Sequence, residues 1–69
     1  MNAEIIFNVE ESPDGGFDAR ALDAPIFTQA DSIDELRDSV RDAVACHFEE
    51  SDRPKMIRLH FVRDEIIAA

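Results

Sequence analysis

Only one segment of this chain has the periodicity of a helix, and it lies among segments that alternate. From Ile33 to Phe48 the apolar residues Ile33, Leu36, Val40, Ala43 and Val44 recur at i, i+3, i+4 and i+7, with His47 or Phe48 completing the stripe. That spacing predicts an amphipathic helix with one buried face. In "AEIIFNVE", residues 3–10, Ile5, Phe7 and Val9 share one face and Glu4, Asn8 and Glu10 the other, with Ile6 as the exception on the polar side. "FDARAL" (17–22), "IFTQ" (26–29, after Pro25) and "KMIRLHFVR" (55–63) read as further strands. The last places Ile57, Leu59 and Phe61 on one face and Arg58, His60 and Val62 on the other. Period-two alternation rich in β-branched and aromatic residues marks half-buried strands. The predicted order is β-β-β-α-β: an α+β domain of two layers, a mostly antiparallel sheet with one helix packed on one face.

Turn chemistry supports this division. "ESPDGG", residues 11–16, joins the first two strands, with Pro13 presetting φ and two glycines accepting positive φ, so a hairpin with a loop longer than two residues is expected. The glycine pair lacks the GxxxxGK[ST] and GxGxxG spacings, and no helix follows it, so it is not a phosphate cradle. "EESDRP", residues 49–54, is a polar loop closed by Pro54. The segment "DEIIAA" carries Ile66 and Ile67, which are expected either to extend the last strand or to pack on a neighbouring subunit.

At 69 residues the chain is one domain, 1–69. A domain of about 60 residues buries only about 60% of the surface its unfolded chain exposes. With a single cysteine no internal disulfide can staple it. A small core without staples gains stability by assembling, so a homodimer or higher homo-oligomer is expected, through the sheet face or the edge strands. The face away from the helix keeps Ile6, Leu22 and Val62 among charges.

Sixteen Asp and Glu against seven Lys and Arg give a net charge of −9. That field repels phosphate backbones and disfavours direct binding of DNA or RNA. A basic protein partner is electrostatically complementary to it, and solubility alone also accounts for it. The first residues, "MNAEIIFNVEE", show no basic stretch followed by an apolar run, and no segment approaches the ~20 apolar residues of a membrane span. With a free Cys46, a cytoplasmic protein is expected.

No catalytic, cofactor-binding or metal-ligating set emerges from the spacing. Cys46 and His47 are adjacent on a helix and point about 100° apart, so neither activates the other. Cys46 reads as a small helix residue near the core edge, and His47 as a partly buried rim residue. His60 points to the face opposite Leu59, and there is no HxH or HExxH pattern to gather a metal. The acids of "TQADSIDELRDSV", residues 28–40, are explained locally. Ser32 and Glu35 fit a capping box, Asp31 and Asp34 complement the positive helix end, and Asp34–Arg37 and Asp38–Arg41 pair at i,i+3.

Two stretches carry a family resemblance: the hairpin "FNVEESPDGGFDARALD", with its acidic-glycine turn before an aromatic residue, and "IFTQADSIDELRDSVRDAV". In the second, Thr28-Gln29-Ala30-Asp31-Ser32-Ile33-Asp34-Glu35-Leu36 is similar to a T-x-G-D-T-x-E-E-A helix entry. Together they resemble the HicB-like, or UPF0150, family of small α+β domains. The chain departs from that pattern in Ala30 for Gly and in Ala24-Pro25-Ile26-Phe27 for a Pro-Gly turn. The resemblance implies strand-mediated oligomers. It also implies a non-enzymatic antitoxin-like role, in which the domain neutralises a small basic RNA-cleaving toxin. Antitoxins of this family carry a helix-turn-helix or ribbon-helix-helix after the domain. None follows here, so a stand-alone member is expected. The alternatives are an accessory or structural subunit docking on a larger complex, or a small metal-dependent enzyme built on His60 and the carboxylates.

Overall fold

The computed structural model describes residues 4–69. The elements are β1 (Glu4–Glu11), β2 (Phe17–Ala21), β3 (Phe27–Ala30), α1 (Ile33–His47) and β4 (Met56–Val62). This is the predicted order, with boundaries shifted by a residue or two; the expected start of the first strand at Ala3 lies outside the described residues. Ile26 falls just before β3 yet is buried. Leu22 falls just after β2 yet still donates its N–H to the Ile6 carbonyl at 3.0 Å.

The strands form one sheet in the order β3-β2-β1-β4. β1 pairs antiparallel with β2, and β2 antiparallel with β3. β4 pairs parallel with β1, setting Phe7 beside Leu59 and Val9 beside Phe61. The sheet is therefore mixed, with antiparallel pairing in the majority. The parallel pair arises because β3 and β4 are joined by α1, which carries the chain across the sheet from one edge to the other, as a crossover requires.

The hairpin turn between β1 and β2 is closed by the Ser12 N–H on the Gly16 carbonyl and the Gly15 N–H on the Ser12 carbonyl, both at 3.0 Å. Gly15 and Gly16 take φ of 93° and 80°, the region where a side chain is strained. Gly16 is further confined, because a Cβ there would lie 2.6 Å from the Ala30 carbonyl oxygen at the end of β3.

The core lies between α1 and the sheet. Ile5, Phe7 and Val9 from β1, Ala19 and Ala21 from β2, and Leu36, Val40 and Val44 from α1 are buried, with Ile26 closing one end. Each large member contributes about 1.5–3 kcal/mol relative to an exposed position. Small residues on β2 let the helix approach closely: α1 lies nearest β3 and β2. Its cover thins toward β4, so Ile57 and Leu59 are half-buried and Phe61 is 51% exposed although it faces the helix side.

The helix begins as its sequence requires. The Ser32 hydroxyl accepts from the Glu35 N–H at 3.2 Å, and the Glu35 carboxylate accepts from the Asp31 N–H at 3.4 Å. The capping box is present with its return bond displaced one residue toward the N-terminus. At the other end the Phe48 N–H reaches the Val44 carbonyl at 3.1 Å, and Arg53 donates to the Ala45 carbonyl at 3.3 Å. Phe48, not His47, finishes the apolar stripe. His47 is exposed and meets the Phe48 ring edge-on at 4.8 Å. Cys46 is exposed as well, since the helix rotates both residues past the sheet. The expectations of a rim histidine and a core-edge cysteine are thereby corrected. No described helix is long and apolar enough to cross a membrane.

Candidate functional site

Two concavities of opposite charge flank the helix. The first opens where the hairpin turn, the end of β3 and the first turns of α1 meet. It is a shallow cleft of about 450 Å³ with Asp14, Asp18, Asp31 and Glu35 in its wall and no lysine or arginine. The fold brings them together from separate elements: Asp14 from the turn, Asp18 from β2, Asp31 and Glu35 from the helix entry. The Gln29 side-chain amide donates to Asp18 at 3.1 Å across the β2–β3 pair, tying that carboxylate to the edge strand. Glu35 is held by the capping contacts described above. The close packing of Gly16 under Ala30 brings the turn against the end of β3 and so sets the cleft's width.

The second is a groove of about 570 Å³ between α1 and β4, where the helix cover thins. Val40, Val44, Ile57 and Leu59 line its floor. Arg37, Arg41, Arg53 and Lys55 form its rim, four of the seven basic residues of the chain, and no acid lines it. Arg37 and Arg41 bridge to Asp34 and Asp38 at 2.9 and 3.1 Å, the two i,i+3 pairs read from the sequence. Both pairs are well exposed and contribute little to stability.

The candidate chemistries of the sequence do not converge. His60 lies on the open face beside Asn8 of β1, exposed, away from His47 and Cys46. Among the described residues no three His, Cys, Asp or Glu side chains stand close enough to hold a metal ion, and no polar side chain is buried. What the acidic cleft can do is receive cationic side chains at a solvated surface.

Sequence reasoning treated the acids of residues 28–40 as helix-entry chemistry. It did not join them to Asp14 and Asp18, because the contact runs through the tertiary fold. It also missed the basic groove; the i,i+4 spacing of Arg37 and Arg41 on one helix face was the available signal. The open face of the sheet carries a third feature absent from the sequence reading. Arg58 grips Glu4 with two donors across the β1–β4 pair, its Nε on Oε1 and its Nη2 on Oε2. This bond and the guanidinium charge hold the Glu4 carboxyl below the usual glutamate range and raise Arg58 in turn. On the same face Arg20 sits over the Phe27 ring, 5.4 Å from its centre. Leu22 and Phe27 are each about half exposed there.

No protein-family model matches the chain, and no solved structure matches it. Two curated proteins do. A UPF0150 protein of Archaeoglobus fulgidus is 60% identical over 52 residues, covering 75% of this chain and 77% of that protein. A UPF0150 protein of Thermotoga maritima is 45% identical over 65 residues, covering 94% of this chain and 91% of that protein. With the fold formed as the resemblance implied, and with identity of this level over most of both lengths, the chain belongs to the UPF0150 family.

Proposed function

We propose that the chain is a non-enzymatic, cytoplasmic protein-binding module that self-associates and uses its acidic cleft to take a basic protein partner, in the manner of an antitoxin masking a small RNA-cleaving toxin. The observation that carries this reading is the gathering of Asp14, Asp18, Asp31 and Glu35, from three parts of the chain, into one concavity without a compensating cation. On a chain of net charge −9 such a cleft speeds association with a basic surface and selects against acidic ones. The test is co-expression with any short basic reading frame encoded beside the gene. A complex is expected at low salt that weakens as salt rises and weakens again in the triple variant D14N/D18N/D31N. Absence of a complex at low ionic strength, or one indifferent to both salt and the triple variant, overturns the proposal. A second reading is favoured by the half-exposed Leu22 and Phe27 on the open sheet face: an accessory subunit docking that face on a larger assembly. A homo-oligomer whose formation buries Phe27 counts against it.

A further inference from the structure

Among the described residues β4 has β1 on one side and no strand on the other. Beyond it residues 63–69 adopt no regular structure, and Ile66 and Ile67 stand 96% and 78% exposed. The groove between α1 and β4 has an apolar floor and a basic rim, while this segment, "RDEIIAA", joins two acids to two isoleucines. The two surfaces are complementary in charge and in polarity, yet one chain cannot join them easily. The groove lies beside the start of β4 and the segment leaves from its end, about 20 Å further on at ~3.3 Å per residue. Folding back demands a tight reversal, and residues 63–69 contain no glycine or proline to make one.

We infer that the groove receives the segment after β4 from a second copy of this chain, exchanged reciprocally as two β4 edges pair antiparallel. This rests on the self-association reading above. Antiparallel pairing places the end of one β4 beside the start of the other, so each outgoing segment passes along its neighbour's groove. The register follows from two constraints. Opposed residues must share a face, or the apolar set of one strand would lie beside the polar set of the other. That requirement leaves alignments two residues apart. One opposes Arg63 to the partner's Lys55, a repulsive pair. The next opposes Glu65 to the partner's Lys55 and Phe61 to the partner's Leu59, and it carries Ile67 to the groove side beside the partner's Arg53. The half-exposed Phe61, the half-buried Leu59 and the exposed Ile67 are covered together, and the edge strand acquires a partner. Each site is incomplete without the other copy.

Sedimentation of the full chain tests this, with circular dichroism and urea midpoints as controls on the fold; the substituted segment lies outside the core, so the fold of each copy is retained. The unmodified chain is expected to dimerise. Ile67→Asp and Glu65→Lys are each expected to raise the dimer dissociation constant by at least about tenfold, the scale of one lost buried side chain or one reversed charge pair. Lys55→Glu combined with Glu65→Lys is expected to recover most of the loss. A monomer at high concentration overturns this inference together with self-association. A dimer whose dissociation constant is unmoved by both variants overturns the exchanged segment alone and leaves self-association standing. Failure of the charge swap to recover affinity overturns the pairing of Glu65 with Lys55.

Discussion

Replacing Gly16 and Gly15 in turn by alanine separates two causes that usually act together. Both glycines have positive φ, and placing an L-residue there costs roughly 1–2 kcal/mol. Alanine also stiffens the unfolded chain, which returns about 0.4–1 kcal/mol. Gly15→Ala meets nothing within 4 Å, so its net loss is about 0–1.6 kcal/mol. Gly16→Ala meets a backbone carbonyl oxygen at 2.6 Å and the Asp31 Cα at 3.4 Å. A backbone atom cannot swing aside as a side-chain end can, so an overpacking penalty of about 1–3 kcal/mol adds to the dihedral one. The net loss at Gly16 is then about 1–4.6 kcal/mol, larger than that at Gly15 by the overpacking penalty, in a domain whose whole stability is about 3–10 kcal/mol. Urea unfolding followed by circular dichroism reads both variants, at one fixed protein concentration because self-association would shift the midpoint. Thermal midpoints are expected to fall by roughly 4–8 °C for each kcal/mol. Equal losses at the two positions, or a larger one at Gly15, would refute the claim that the turn is wedged against the end of β3.

Leu36→Ala removes a fully buried side chain at the centre of the helix contact and is expected to lose about 2–5 kcal/mol, read as a lower urea midpoint with the slope retained. Ser32→Ala deletes the hydroxyl that accepts the Glu35 N–H and is expected to lose about 1 kcal/mol, while Ser32→Asp retains the cap and stays near the unmodified value. The Glu4–Arg58 pair has a pH signature. Because the folded-state pKa of Glu4 lies below its ordinary value, the stabilisation it gives is present above about pH 4.3 and is lost as pH falls through the lower folded value. Glu4→Gln is therefore expected to flatten the acid side of the stability curve and leave the neutral side's slope unchanged, with a smaller difference in high salt because the pair is exposed. An acid limb identical in the two proteins would contradict it.

Most of the fold was legible because its signals are local. The alternation of Ile5, Phe7 and Val9 and the stripe of Leu36, Val40 and Val44 each mark a buried face within a dozen residues, and all six are buried. The glycine turn and the Ser32 cap are likewise short-range chemistry. Where expectation and structure differ, at His47 and Cys46, the stripe ends on Phe48, which packs against the core, and the two residues before it face solvent. A helical period states which residues share a face and not how far the cover runs. The parallel docking of β4 against β1 was not written in either strand, since alternation is the same for both directions. The acidic cleft and the basic groove were hidden for the same reason. Asp14 and Asp31, or Arg41 and Lys55, become neighbours only after the chain has folded, and nothing in their sequence neighbourhoods records it.

The pairing of β1 with β4 also sets a timetable. β1, β2 and β3 form a meander from nearby residues, but the partner on the other side of β1 is made after all three and after the helix, with Glu4 beside Met56. During synthesis β1 must wait, with one edge bare, until the helix and the loop after it have left the ribosome. Long-range pairings of this kind slow folding and leave strand edges open to wrong partners in the meantime. The charges on β1, Glu4 and Glu10 among them, fall at that waiting edge. Charged side chains on an open strand disfavour wrong pairing, and these are made before their basic counterpart Arg58.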